Sequence, residues 1–564
     1  LGVGLLVTAA ASAFAVAPSA ATGLRPPAGL PSAHVEAPSA RPRSNIARED
    51  YVGPEVCREC HAEVWEQWHA HPHRLMNADA TEAAVVGDFS GVQREYGEIT
   101  TTFERRDDRF VMSHHQGGEL LRRDAVTRTI GSRLQQAYVG VQIEGPEPAG
   151  DPIYTTERAL PYVYWFSRGR WYPEHYVEQY PDPEYDDDGR LRYPVADPRS
   201  RGTRPWAQGC MLCHNTYAYE LRFNDDVPGR GFLEARMRPA DRAAVPNGPS
   251  PEDLVTLGVS CEACHLGGRD HVELQREVDA VPTSPRLLAH EGPSALTDAA
   301  VVNSICAQCH VAGSLPYPNG ASSLNSSEAL DLRSGACASQ IACTDCHDPH
   351  VGNPPGGGPD APAHVAACGR CHDQYATETG RRAHARHDGK DASCLDCHMP
   401  RLTQGIDTVV RSHRIDSPTN PQMLAAASIN ACNLCHLDRT IGWTLAELRE
   451  GWGAELERTD AWSDAYGEDD ATMLQTWLEH PTPIVRLVAS DALARSPNGI
   501  TSMPQLLPLL MDAYPENRMF GLFAIERLWG RRIDEDEYAP MASEAVRARQ
   551  IEELGDRISA AASQ

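Results

Sequence analysis

Cys210-Met211-Leu212-Cys213-His214 opens a stretch, 210–436, in which Cys-x-x-Cys-His occurs seven times. The later copies are Cys261-Glu262-Ala263-Cys264-His265, Cys306-Ala307-Gln308-Cys309-His310, Cys343-Thr344-Asp345-Cys346-His347, Cys368-Gly369-Arg370-Cys371-His372, Cys394-Leu395-Asp396-Cys397-His398 and Cys432-Asn433-Leu434-Cys435-His436. An eighth, Cys57-Arg58-Glu59-Cys60-His61, stands upstream. At these Cys and His frequencies chance would give about 0.02 such motifs per chain. A structural zinc site draws four ligands from two nearby pairs and does not require His after every second Cys. A disulfide framework does not impose this spacing either. The pattern is that of c-type haem attachment, with two thiols bound to the porphyrin and the His as the first axial ligand of iron. Eight covalently bound haem c groups take sixteen of the seventeen cysteines and leave Cys337, which reads as an incidental thiol.

From Cys210 to His436 there are about 32 residues of chain for each motif, too little for each to own an apolar core. The haems must therefore be the core, with short helices and loops around them. The expected fold class is mainly α with much irregular structure. It comprises a multihaem cytochrome c core, a small antiparallel β insert and a C-terminal α-helical HEAT-like region.

Taken in order, 1–23 reads as a signal-peptide remnant, with Ala15-Val16-Ala17 as an A-x-A-like cleavage pattern. Pro/Ala-rich 24–50 reads as a linker and 51–95 as the first haem segment. In 96–205, the alternation at 98–105, 109–113, 137–143 and 162–166 predicts strands of a β-rich insert, with a turn at Asp107-Asp108. The acidic run 181–188 reads as a solvated loop, since it lacks the ligand spacing of a calcium site. A seven-haem core follows over 206–440. In 441–564 an apolar pattern repeats at an offset of 32 residues, pairing Leu474 with Leu506, Leu478 with Leu510, Arg486 with Arg518 and Val488 with Phe520. Two HEAT-like helical hairpins fit that repeat. Two are fewer than a free-standing array needs, so they are expected to dock on the haem region.

The net charge of −27 argues against nucleic acid as a partner and suits redox protein partners with basic docking surfaces. No stretch reads as a transmembrane span. Covalent haem attachment and the leader place the chain outside the cytoplasmic membrane, periplasmic or extracellular.

Histidines beyond the eight motifs supply the second axial ligands. His73 follows Trp65-Glu66-Gln67-Trp68, and His71 is its neighbour. His271 follows the glycine-rich Gly267-Gly268 turn, which could bring backbone close to a porphyrin. His350 sits three residues after His347. His384 and His387 precede the seventh motif, and His413 lies between the seventh and eighth. His290 and His364 are further candidates. The metal-ligating set is taken as the eight motif histidines with His73, His271, His350, His384 and His413.

Trp68…His73, Gly258-Val259-Ser260-Cys261 through His271-Val272, Cys394-Leu395-Asp396-Cys397-His398-Met399-Pro400 and Arg411-Ser412-His413 together resemble exported multihaem cytochromes. These carry cytochrome c-type haem-pair modules, similar to those of the tetrahaem electron carrier of ammonia-oxidising bacteria, and many end in tetratricopeptide or HEAT-like repeats. The resemblance implies an electron carrier with mostly bis-His irons, with His73, His271, His350, His384 and His413 at the family's distal positions. Gly268-Arg269-Asp270-His271 departs from the usual Pro-Gly-Ser-x-His. Two rival readings stand beside the carrier. One is a multihaem oxidoreductase acting on a small nitrogen or sulfur compound at one open haem. The other is a homo-oligomer, a subunit of an extracellular filament. No catalytic residue is assigned.

Overall fold

The computed structural model describes residues 45–174, 205–208, 210–222, 251–277, 299–311, 316–338, 340–351, 362–388, 392–425, 429–456, 466–467, 470–497 and 499–562. The leader 1–23, the linker up to residue 44, the acidic run 181–188 and His290 lie outside the described residues.

The region between the first two motifs forms an eight-stranded antiparallel sheet. Its strands are β1 (Asn77–Asp79), β2 (Val92–Tyr96), β3 (Ile99–Arg106), β4 (Arg109–Gln116), β5 (Glu119–Ile130), β6 (Gln135–Glu144), β7 (Arg158–Trp165) and β8 (Arg170–Pro173). Strands β2 to β8 form a continuous meander, and β1 pairs with the far end of β5. Arg106 pairs with Arg109, leaving Asp107 and Asp108 as a two-residue loop with φ of 47° and 61°. Both signs match the hairpin turn whose twist suits the flanking strands.

The sheet curls. Phe103 on β3 and Trp171 on β8 stack at 4.0 Å although four strands separate them in the meander. With Phe89, Phe110, Met112, Tyr138 and Tyr162 they form an aromatic core on the concave face. On the other face Ile130 and Val139 meet Trp206 and Met211 at the second motif. Tyr96, Val163, Trp165 and Tyr172 meet Met519 on a C-terminal helix.

This sheet is larger than the small insert expected, and it begins ahead of residue 96. The sequence hid its first strands because β1 is three residues long and β2, Val-Gln-Arg-Glu-Tyr, offers only two apolar positions. The chain therefore combines short helices with a large antiparallel sheet and is not simply mainly helical.

In the haem region the helices are short, and several carry motifs: Met211–His214, Cys261–His265, Ala299–Cys306, Pro362–Gly369 and Cys394–His398. Beyond the last motif the helices Met473–Leu478 and Pro483–Arg495 form one hairpin. The 3-10 run Met503–Met511 and the helix Pro515–Trp529 form a second. The guanidinium of Arg486 donates to both carboxylate oxygens of Asp512, at 2.6 and 2.9 Å, and joins the two hairpins. Arg518, its echo, is fully buried and donates to the carbonyls of Pro540 and Asp512 at 3.0 and 2.7 Å.

These helices share one apolar core with the haem region, running from Tyr317, Leu402, Val409, Leu434 and Leu437 through Trp477 and Leu487 to Ile558. Among the described residues, no helix is long and apolar enough to cross a membrane.

Candidate haem centres

Five of the eight motif histidines face a second imidazole. The ring centroids of His61 and His271 are 6.3 Å apart, those of His265 and His350 6.2 Å, and those of His347 and His413 6.2 Å. His398 and His384 stand 6.1 Å apart, as do His436 and His387. Imidazole nitrogen–metal bonds are about 2.0–2.1 Å, so two rings sharing one metal ion would have centroids about 6 Å apart. The chain's own geometry thus fits iron between each pair.

The electrostatics agree with that fit, because a metal ligand must be neutral imidazole. Burial pushes His265 down to about 4, and the nearby His350, His61 and His271 push the same way. Burial also pushes His347 down to about 4, with His413 and His364 adding to it. His271, His384, His413 and His436 are lowered too, chiefly by burial.

Hydrogen bonds select the nitrogen that would face iron. His398 donates from Nδ1 to the Asp416 carbonyl at 2.8 Å, and His387 from Nδ1 to the Ala385 carbonyl at 2.7 Å. Each leaves Nε2 as the acceptor, the arrangement that a backbone carbonyl on Nδ1 imposes on metal-bound imidazole. His364 is the opposite case. Its Nε2 lies 2.7 Å from the Cys346 carbonyl, so that nitrogen is used up, and its ring is tilted 54° to His347.

Of the five distal positions expected, the structure sets His271, His350, His384 and His413 opposite a motif histidine. It does not do so for His73, whose ring lies against His71 at 4.7 Å. Burial pushes His73 down to about 4, with His71 and His310 adding to it. His387, named beside His384 but left out of the chosen set, takes the position opposite His436.

The remaining motif histidines are His214, His310 and His372, and among the described residues none faces a second imidazole at such a separation. The ring of Tyr375 lies 6.4 Å from His372 and 4.3 Å from His384. The Nδ1 of His310 lies 3.0 Å from a Glu328 carboxylate oxygen. That bond raises His310 to about 9, and although burial works against the Glu328 charge, His310 holds it down to about 2. The other Glu328 oxygen accepts the Ser326 N–H at 2.8 Å.

Motifs meet near their first cysteines. Cys261 beside Cys57, Cys343 beside Cys306 and Cys394 beside Cys368 push up the thiol of their neighbour, with burial adding to each rise. Residues inside the motifs tie them together further. The buried Glu262 carboxylate accepts the backbone N–H groups of Val52, Gly53 and Gly268 at 2.8–2.9 Å, joining the third motif to the approach of the first. Arg370 in the sixth motif donates to Asp345 in the fifth at 2.7 Å. Gly267 presses against the backbone of Asp50, where a Cβ would collide. The glycine-rich turn thus seats the N-terminal segment while the helix Arg269–Glu277 carries His271. Sequence reasoning missed Glu262, Arg370, Asp345 and Glu328, since one charged residue within or near a motif carries no periodic signal.

Residues 382–442, which contain the seventh and eighth motifs with His384, His387 and His413, match the model of the Cytochrome c552 family. No curated protein matches the chain. Among solved structures the chain is similar to the outer cell wall cytochrome OcwA, at 14% identity and a TM-score of 0.38, covering 91% of this chain and 99% of that one. It is also similar to the Wolinella succinogenes octahaem sulfite reductase MccA, at 14% identity and a TM-score of 0.32, covering 93% and 84%. Likenesses this low carry neither fold nor activity across. The family match and the attachment motifs support a multihaem c-type cytochrome with covalently bound haem c, suited to electron transfer.

Proposed function

We propose that this chain is an exported octahaem c-type cytochrome, periplasmic or extracellular. It passes electrons between protein partners through closely packed, mostly bis-histidine haems. The observation that carries this reading is the set of five imidazole pairs at 6.1–6.3 Å. A closed iron with two nitrogen ligands exchanges electrons without binding a substrate. In this reading each motif holds one haem through its two cysteines and its histidine. His271, His350, His413, His384 and His387 close the irons of the first, third, fifth, seventh and eighth motifs.

The proximity of first cysteines supports close spacing of the haems that those motifs would hold. The acidic surface supports partners with basic docking faces. The helices of 441–564, as HEAT-like hairpins, would cap the last haems and offer one such face.

The second reading is an oxidoreductase acting on a small nitrogen or sulfur compound at one open haem. It is favoured by the three motif histidines that face no second imidazole among the described residues. A filament subunit is the third reading, in which a neighbouring copy would donate missing distal ligands.

The deciding measurement is haem content per chain together with low-temperature electron paramagnetic resonance integrated per iron. Eight haems are expected, at least five of them low-spin with two nitrogen ligands. Fewer than five such irons would sink the carrier reading.

A further inference from the structure

We propose that the iron of the fourth motif, held by His310, is the one open to an external ligand. The ligand class is a small inorganic anion or diatomic molecule. This inference rests on the haem reading of the motifs and names the site that the oxidoreductase reading leaves unassigned.

Three observations single out His310. Among the described residues it faces no second imidazole at the paired separation, a property it shares with His214 and His372. Of those three rings only that of His310 meets a side-chain carboxylate among the described residues, Glu328 at 3.0 Å. That carboxylate is itself fixed, because its second oxygen accepts the Ser326 N–H. Among the paired histidines, His398 and His387 donate to backbone carbonyls instead, and the Asp348 carboxylate stands off the His350 ring at 3.7 Å. A carboxylate acceptor raises the basicity of an axial imidazole more than a carbonyl does and fixes its orientation. A strong donor on one side suits an iron whose other side exchanges ligands, whereas a pair of ordinary imidazoles suits an iron that only changes charge.

The third observation concerns His73, the expected distal ligand that, among the described residues, faces no motif histidine at the paired separation. Its ring packs on His71 at 4.7 Å, and its backbone N–H donates to His71 Nδ1 at 3.0 Å. The loop is locked from below, since the His73 carbonyl accepts the Val259 N–H at 2.9 Å. Gly258, at φ +80°, lets that strand approach so closely that a Cβ would collide with the Arg74 carbonyl.

The test uses the holoprotein with cyanide as probe on the oxidised form, and resonance Raman of the iron–histidine stretch on the reduced form. Haem content is measured first, and fewer than eight haems would overturn the octahaem reading beneath this one. With eight present, cyanide should convert one iron per chain, and that iron's histidine stretch should lie at the high frequency of a carboxylate-backed imidazole. In Glu328→Gln the stretch should fall and cyanide affinity change by about 10-fold or more. If Glu328→Gln fails to assemble, the wild-type stretch still decides. Absence of any cyanide-binding iron would overturn the proposal. So would a stretch at the ordinary imidazole frequency, or cyanide binding untouched by Glu328→Gln, which would move the open iron to His214 or His372.

Discussion

His384 and His387 are three residues apart, yet they face different motifs. His384 lies in the last turn of the helix Glu378–Ala385, and Arg386 then takes the left-handed conformation at φ 56°. That single residue turns His387 away toward His436 while His384 stays opposite His398. Trp452 secures the turn by donating to the His384 carbonyl at 2.8 Å. Replacing His387 by Ala should therefore open the eighth iron alone. One low-spin iron per chain would be lost from the paramagnetic resonance integral, and a high-spin signal would replace it. His364→Ala should leave every iron unchanged, because its Nε2 is engaged by the Cys346 carbonyl. If the two variants gave the same spectrum, tautomer and ring separation would not be what selects ligands in this chain.

At the scale of elements, the sheet carries a polar network inside its own core. His114 on β4 lies 2.9 Å from the Thr101 hydroxyl and 3.1 Å from Asp124, and Arg122 pairs with Asp124 at 2.9 Å. Burial pushes His114 below its ordinary value, against the pull of Asp124, with Arg122 and His115 adding to the fall. Burial works against the Asp124 charge, but Arg122 and His114 outweigh it and hold the carboxyl low. Tyr162 stacks above His114 at 6.5 Å, and burial pushes its hydroxyl up to about 12. The His114 and Asp124 shifts have the same sign. The unfolded chain binds more protons than the fold as pH falls through about 6.5 for the histidine and about 3.9 for the aspartate. Stability of the sheet is thus present at neutral pH and is lost on acidification. Protection factors of peptides from β4 and β5, corrected for the intrinsic pH dependence of exchange, should fall between pH 7.5 and 5, and His114→Gln should flatten that dependence. Strands of this kind were legible from alternation wherever both faces are apolar or cleanly alternate, as in β3, β4, β6 and β7. The closed network was not, because His114, Asp124 and Arg122 look like surface residues until the curl of the sheet encloses them. The candidate haem centres divide the same way. The covalent side is written locally in eight motifs, whereas the distal side depends on which loop reaches which iron, and a single left-handed residue decides that.

For the whole molecule, the decisive feature is the core shared between the last haem segments and the C-terminal helices. Leu402, Val409, Leu434 and Leu437 are each at most 7% exposed, and they cluster with Trp477, Leu487, Val488 and Phe520 beyond the last motif. The sheet grips the same helices from the other side. Arg168, in the turn between β7 and β8, pairs with the buried Glu526 at 2.8 Å, and Trp165 lies 5.9 Å from Phe523. A chain ending at residue 440 would expose both surfaces at once. Each buried apolar side chain returned to water costs about 1.5–3 kcal/mol, so five or six of them match the whole stability of a typical domain, about 5–15 kcal/mol. The truncated chain should therefore fail to hold the His387–His436 pair. Haem content should fall below that of the full chain, or one low-spin iron should be lost. Pulsed proteolysis should cut first near the eighth motif, where Asn433 bonds the Thr444 hydroxyl at 2.6 Å in the full chain. A soluble truncation with full haem content and an unchanged spectrum would mean that the helices are an appendage. Their place would then be at a partner's surface, where the excess of acidic over basic residues in 441–564 would have to make binding weaken steeply with salt.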